Sequence, residues 1–160
     1  MDIREIRHVM GHFATGVTVI TTKDKTGAPN GITANAFTSL SLEPPLVLIC
    51  VDKKANCYEC FEESKVFAVN LLGEHQEQLS TRFATKGVEK FAGIPWHAGH
   101  EGLPLLEDAI GYIQCTLTNT YEGGDHTIYL GSVVAAEATG DRPLLFFKGR
   151  YHRLPQEDEG

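Results

Sequence analysis

Small polar residues run directly into an apolar strand in the stretch Gly31-Ile-Thr-Ala-Asn-Ala-Phe-Thr-Ser-Leu-Ser-Leu-Glu-Pro-Pro-Leu-Val-Leu-Ile-Cys-Val51. The hydroxyls of Thr33, Thr38, Ser39 and Ser41 and the amide of Asn35 place donors and acceptors close together, the mixture that orients a planar, phosphorylated ligand. By composition alone the same residues also read as a Thr/Ser-rich edge strand with a turn. Lys53, Lys54 and Asn56 follow the apolar strand. Ammonium groups at the start of a helix, beside free backbone N–H groups, suit a phosphate, while a solvated lysine pair is the plain alternative. Arg82 could clamp a phosphate bidentately or sit on a wet helix face.

His126 follows Gly124-Asp125, a turn sequence, and a histidine there is ordinarily a surface residue. Cys57-Tyr-Glu-Cys60 has the spacing of a redox or half-zinc motif, although it falls on an expected helix outside a thioredoxin-like context. His97 and His100 could complete a Cys₂His₂ set, yet their spacing falls short of the usual one. Cys50 and Cys115 lie on apolar strands and read as small buried hydrophobes. No two glycines stand two residues apart and no Gly-Lys-Ser/Thr sequence occurs, so the usual dinucleotide and P-loop motifs are missing.

These residues need elements to hold them. Ile3, Ile6, Val9, Met10 and Phe13 recur at helical spacing and predict an opening helix with one face on the core, ended before Gly16. Val17 to Thr22 is β-branched throughout and predicts a strand, with a turn over Lys25 to Gly31. Leu46 to Val51 predicts a buried strand, and Val66 to Leu72 another; between and after them Ala55 to Glu63 and Glu74 to Ala84 read as helices. From Gly87 to Gly102 periodicity is lost, as in a long surface loop. Ile110 to Tyr121 and His126 to Ala138 predict a hairpin joined at Gly123-Gly124-Asp125, and Leu144 to Tyr151 a last strand. Turns too short for parallel crossovers join most of the strands, which points to a mainly β, antiparallel barrel with short helices.

Four segments taken together carry a resemblance. Phe13-Ala-Thr-Gly-Val-Thr-Val-Ile20, the Gly31 to Val51 stretch, Gly124-Asp-His-Thr-Ile-Tyr-Leu-Gly131 and Pro143-Leu-Leu-Phe-Phe-Lys-Gly-Arg-Tyr151 stand in register from about His8 to Leu154. The chain resembles the short-chain flavin reductases, the reductase components of two-component flavin monooxygenases. The resemblance implies an FMN-binding split barrel, an antiparallel Greek-key barrel that dimerises and holds flavin near the subunit interface. It also implies NADH or NADPH as hydride donor, FMN or FAD as acceptor, and an oxygenase that receives the reduced flavin.

Residue by residue, the resemblance sets Thr33, Ala34, Asn35 and Ala36 against the flavin ring and Ser39 and Ser41 at its ribityl or phosphate groups, with Phe37 in the core. Arg82-Phe83-Ala84 matches a segment near the flavin phosphates. Val51-Asp-Lys-Lys-Ala-Asn56 departs from relatives that carry Ser or Arg there, which leaves Lys53, Lys54 and Asn56 as the phosphate candidates on this side. His126 becomes the catalytic candidate, positioning the nicotinamide or balancing the charge of reduced flavin, and Tyr151 an aromatic beside the flavin. The alternatives are a split-barrel flavin sensor or store without turnover, and a zinc protein using Cys57, Cys60, His97 and His100.

A chain of 160 residues suffices for one domain with a core, taken as 1–154 with an acidic, disordered tail at 155–160. The net charge of −7 argues against nucleic acid. Asp2, Arg4, Glu5 and Arg7 leave no signal-peptide core, and no apolar run approaches bilayer length, so a cytoplasmic protein with free thiols and no membrane partner is expected.

Overall fold

In the computed structural model, which describes residues 1–157, alternation and turn chemistry carry the chain through α1 (Ile3–Met10), β1 (Thr15–Gly16), β2 (Thr18–Lys23), β3 (Pro29–Ala34), β4 (Phe37–Leu42) and β5 (Pro45–Asp52). There follow α2 (Tyr58–Ser64), β6 (Val66–Leu71), α3 (Glu77–Ala84), β7 (Trp96–Ala98), a 3₁₀ turn (His100–Gly102) and β8 (Pro104–Leu106). The long pair β9 (Gly111–Gly123) and β10 (His126–Ala138) and the short pair β11 (Leu144–Phe147) and β12 (Arg150–Arg153) complete the described chain. The expected tail falls in part on residues 158–160, outside the described residues.

Seven strands form one antiparallel sheet in the order β3-β2-β6-β9-β10-β5-β4. Its two edge strands, β3 and β4, are consecutive in sequence and separated only by Asn35 and Ala36. Three Cα steps reach about 11 Å, whereas six strand spacings laid flat would put the edges about 29 Å apart. The sheet therefore curls until its edges meet, and β3 and β4 are not paired in a ladder, which leaves the barrel split at this seam.

The barrel interior is filled by Ile20, Val47, Ile49, Val51, Phe67, Val69, Cys115 and Tyr129, with Phe61, Cys57 and Cys60 added from the α2 region. Phe61 stacks on Tyr129 at 5.0 Å. A second cluster of Val17, Val19, Leu72, Phe83, Leu106 and Leu144 lies on the other face of β2. Neighbours Val19 and Ile20 point to opposite clusters, as strand periodicity requires, and both are fully buried. Gly31 lets α3 approach β3, since a Cβ there would stand 3.2 Å from the Phe83 ring and 3.0 Å from the Ile20 carbonyl.

Several sequence expectations change. The α1 helix forms with Asp2 as its N-cap, but none of its residues is buried, and Val9, Met10 and Phe13 are 65, 70 and 79% exposed. The buried strand at 46–51 is half-buried, alternating Val47, Ile49 and Val51 inward with Leu46, Leu48 and Cys50 partly open. Both later helices start late, because Lys54 N–H donates to Asp52 Oδ1 and Gln76 Oε1 accepts from Gly73 N–H, so turns occupy their expected first residues. The turn expected over 25–31 ends early, as β3 begins at Pro29. The long loop expected over Gly87 to Gly102 contains β7 and the 3₁₀ turn, and β7 pairs with β8 just beyond it. The last strand is in fact a hairpin, since Lys148 and Gly149 both take positive φ, +53° and +76°, the pattern of a type I′ turn.

Candidate functional site

The two-residue seam is the natural place to begin. Asn35 and Ala36 are held from both sides: Phe37 N–H donates to the Asn35 carbonyl at 3.0 Å, and Cys50 N–H donates to the Ala36 carbonyl at 3.0 Å. With its main chain fixed, the exposed Asn35 lines two clefts. One, of about 220 Å³, is lined by Val17, Thr33, Ala34, Asn35, Ser80, Ala84, Phe146 and Tyr151. The other, of about 380 Å³, runs from Asn35 past Phe37 and Val17 to Leu144. Three of the expected flavin residues and Tyr151, remote in sequence, thus share one cleft.

A hydrogen-bonded chain fixes the walls of the smaller cleft. Thr33 Oγ1 donates to the Ser80 carbonyl at 2.6 Å, and Ser80 Oγ lies 2.6 Å from Tyr151 Oη. Thr18 Oγ1 donates to the Ala34 carbonyl at 2.6 Å, tying the end of β3 to β2. Thr33 therefore orients α3 rather than offering a free hydroxyl. Ser80 is the residue that sequence reasoning missed; its spacing from Gln76 and Phe83 put it on the buried face of α3, which was the available signal.

His126 stands at a second place, on the same end of the barrel. Ala36 is bonded to Cys50, Asp52 lies two residues further along β5, and His126 is its cross-strand partner. That puts the β9–β10 hairpin tip roughly 7 Å beyond the seam along the strand axis. The tip is a two-residue turn with positive φ at Gly124 alone, +72°, as in a type II′ turn. His126 Nδ1 lies 2.7 Å from Asp125 Oδ1, and this hydrogen bond, reinforced by the imidazole's charge, holds the Asp125 carboxyl below its ordinary range. Asp125 thus fixes the ring through Nδ1 and leaves Nε2 for a ligand. Lys53 N–H donates to the Asp125 carbonyl at 3.0 Å, which ties the tip to the end of β5.

The expected phosphate residues do not converge. Ser41 and Ser39 face Leu46 and Val47 on β5, while Lys53 and Lys54 lie beyond its other end at Asp52. Six to seven strand residues, roughly 20 Å, separate the two sets, so within one chain no single phosphate touches both. Lys53 is paired with Glu122, whose carboxylate raises the lysine's proton affinity. Lys53 and Lys54 also precede the start of α2 by several residues, so neither stands at a helix N-terminus as expected. Lys54 and Asn56 are exposed.

Arg82 is engaged away from the cleft. Its Nε donates to the Lys90 carbonyl at 2.8 Å, and one Nη donates to the carbonyls of Glu89 at 2.6 Å and Ala92 at 2.8 Å. Its guanidinium staples the 89–92 loop instead of facing the cleft lined by Ser80 and Ala84. Phe83 is fully buried, edge-on to Phe91 at 5.0 Å, and presents no surface to a ligand.

The motif cysteines are set apart from this chemistry. Burial pushes the Cys57 thiol up to about 11 and raises Cys60 as well, which removes the thiolate that a redox pair needs. His97 Nδ1 is 2.7 Å from Glu107 Oε1 on a separate hairpin. All four cysteines are free, and among the described residues no three His, Cys, Asp or Glu side chains gather as a metal site.

A seam-side asparagine lining two clefts, with a tyrosine and a histidine on the same end of a split barrel, suits a planar cofactor. The flavin reductase like domain matches residues 10–155. The chain belongs to the flavin reductase-like family. It is 44% identical over 166 residues to an NADH-dependent FAD reductase of Streptomyces globisporus, covering 99% of this chain and 90% of that protein. It is 43% identical over 152 residues to the reductase subunit of a flavin-dependent monooxygenase from Rhodococcus jostii, covering 94% of this chain and 77% of the relative. Among solved structures, the Streptomyces globisporus NADH:FAD oxidoreductase in complex with NAD and FAD fragments superposes with a TM-score of 0.92 at 41% identity, covering 99% and 96% of the two chains. The fold inferred from turn lengths and resemblance, an antiparallel split barrel, is therefore the fold of this family member.

Proposed function

We propose that this flavin reductase-like protein is an NAD(P)H-dependent flavin reductase that delivers reduced flavin to a separate monooxygenase component. The observation that carries the reading is the exposed Asn35 at the barrel seam, its main chain held by hydrogen bonds and the residue lining a cleft on either side. Bound cofactors supply the chemistry, a hydride passing from reduced nicotinamide to flavin N5, so no protein nucleophile is needed.

The chain's own groups bind, orient and exclude water. Asn35, with the main chain of Thr33 to Ala36, holds the polar edge of the flavin ring, and Tyr151, oriented by Ser80, closes one side of it. His126, oriented by Asp125, points Nε2 toward the nicotinamide carboxamide or the negative charge that reduction leaves on the ring. Lys54 and Asn56, or Ser39 and Ser41, contact the phosphate-bearing arm, and a dinucleotide has the length to reach both sets. Arg82 and Phe83 support this site from α3 without touching the ligand.

The reading includes a homodimer in the cytoplasm. A continuous apolar stripe on α1 faces solvent in the single chain, together with Leu40 and Leu42 on the seam-side edge strand β4, and a second copy buries it. Four thiols and no disulfide fit a reducing compartment. No helix among the described residues is long and apolar enough to cross a membrane. The test is NADH oxidation by the purified protein with and without added flavin: flavin-dependent turnover supports the reading, and flavin binding without turnover would replace it by a store or sensor.

A further inference from the structure

We propose that His8 and His12 form a chelating site for a borderline divalent transition metal, the class of Ni²⁺, Zn²⁺ and Cu²⁺. The pair stands at the C-terminal end of α1, outside the residues that line the two clefts beside Asn35, and the proposal does not depend on the flavin reductase reading. Four residues separate the two histidines, which sets their side chains one above the other on one helical face. Helical bonding carries on past Met10 to hold that register: Gly11 N–H donates to the Arg7 carbonyl and His12 N–H to the Val9 carbonyl, each at 2.9 Å.

The His8 carbonyl, in the last turn where carbonyls lack helical donors, accepts from His12 Nδ1 at 2.8 Å. A carbonyl only accepts, so the proton of neutral His12 sits on Nδ1 and the Nε2 lone pair is left free. Metal-binding histidines are ordinarily oriented in this way, by a second ring nitrogen that donates to a carbonyl or carboxylate. The ring centres of His8 and His12 are 4.8 Å apart. Two imidazoles bound through nitrogen to one metal at about 2.1 Å hold their centres about 5 Å apart, so the pair already stands at chelating separation. The rings meet edge to face at 72°, and His8 must turn to aim a nitrogen at the shared point. Its ring is exposed and makes no hydrogen bond among the described residues, so little opposes that turn. His8 also lies away from Ile6, Val9 and Met10, which puts the pair and the exposed apolar stripe on different faces of α1. A metal held by both rings ties the last turn of α1 to Gly11, whose carbonyl accepts from Lys148 N–H at 2.8 Å, and so stiffens the joint between α1 and the β11–β12 hairpin.

Calorimetric titration of the untagged protein with Ni²⁺ tests this, with His8→Gln and His12→Gln as site variants and His100→Gln, on the 3₁₀ turn, as the control. His8 and His12 are exposed, so the site variants should melt with the wild type. The wild type should bind one Ni²⁺ per chain. Each site variant should bind about 100-fold more weakly, the loss expected when two tethered ligands become one, while His100→Gln matches the wild type. Excess Mg²⁺ should not compete, because imidazole ligates it poorly, and bound Ni²⁺ should slow amide exchange at Gly11 and His12. A wild type that binds no Ni²⁺, affinity kept in either site variant, an equal loss in His100→Gln, competition by Mg²⁺, or unchanged exchange at Gly11 and His12 overturns the proposal.

Discussion

At the scale of single residues, the proposed function assigns binding to Asn35 and turnover to His126, so their substitution should separate the two. Asn35→Leu replaces an amide with an apolar group of similar size at an exposed position, so folding should be little affected while flavin affinity falls about 5- to 10-fold, measured by titration. His126→Ala should leave flavin affinity nearly intact and lower NAD(P)H-dependent reduction roughly 10- to 1000-fold, with chemical reduction by dithionite unaffected. The half-exposed turn position limits the change in stability to within about 1 kcal/mol. Asp125 keeps its charge through neutral pH, because its folded value lies below the ordinary 3.8; its contribution is present above that value and is lost as pH falls through the lowered folded one. Asp125→Asn should therefore slow reduction at neutral pH, where the carboxylate is ionised, without changing flavin affinity. Rates in this variant equal to wild type would show that Nδ1 needs no orienting partner.

At the scale of elements, the hairpin tip was legible and the seam and the supports were not. Gly124-Asp125 is a short turn between two long alternating strands, so its position followed from local chemistry. Lys148-Gly149 was hidden because Leu144 to Phe147 and the aromatic Tyr151 read as one short strand, and positive φ at both turn residues reveals the fold-back. Arg82 reads as a phosphate ligand in the sequence because charge and helix position cannot disclose which carbonyls a loop eight residues later will present. Likewise the α1 stripe announces an apolar face but not what covers it, and the single chain leaves it open. Arg82→Lys should loosen the 89–92 loop in the absence of any ligand, seen as faster amide exchange there, since an ammonium cannot reproduce the three carbonyl contacts. In the barrel wall, a Cβ at Gly131 would lie 2.5 Å from the Phe67 ring and 2.7 Å from Cys115 Cβ. Gly131→Ala should destabilise the fold by about 1–3 kcal/mol, measured by chemical denaturation.

For the whole molecule, a curled sheet has its edges joined by two residues, and the apolar stripe of α1 lies uncovered in the single chain. Sedimentation should give a dimer, and Val9→Asp, which places a charge on the exposed apolar stripe, should shift it toward monomer. The central claim is that this barrel brings nicotinamide and flavin together for hydride transfer. Anaerobic stopped-flow mixing of the flavin-loaded protein with NADH, and separately with NADPH, tests it most directly. The account predicts rapid, saturable loss of the oxidised flavin's visible absorbance with at least one of the two donors, slowed in His126→Ala at every donor concentration. Flavin that binds at the seam yet stays oxidised with both donors would contradict it.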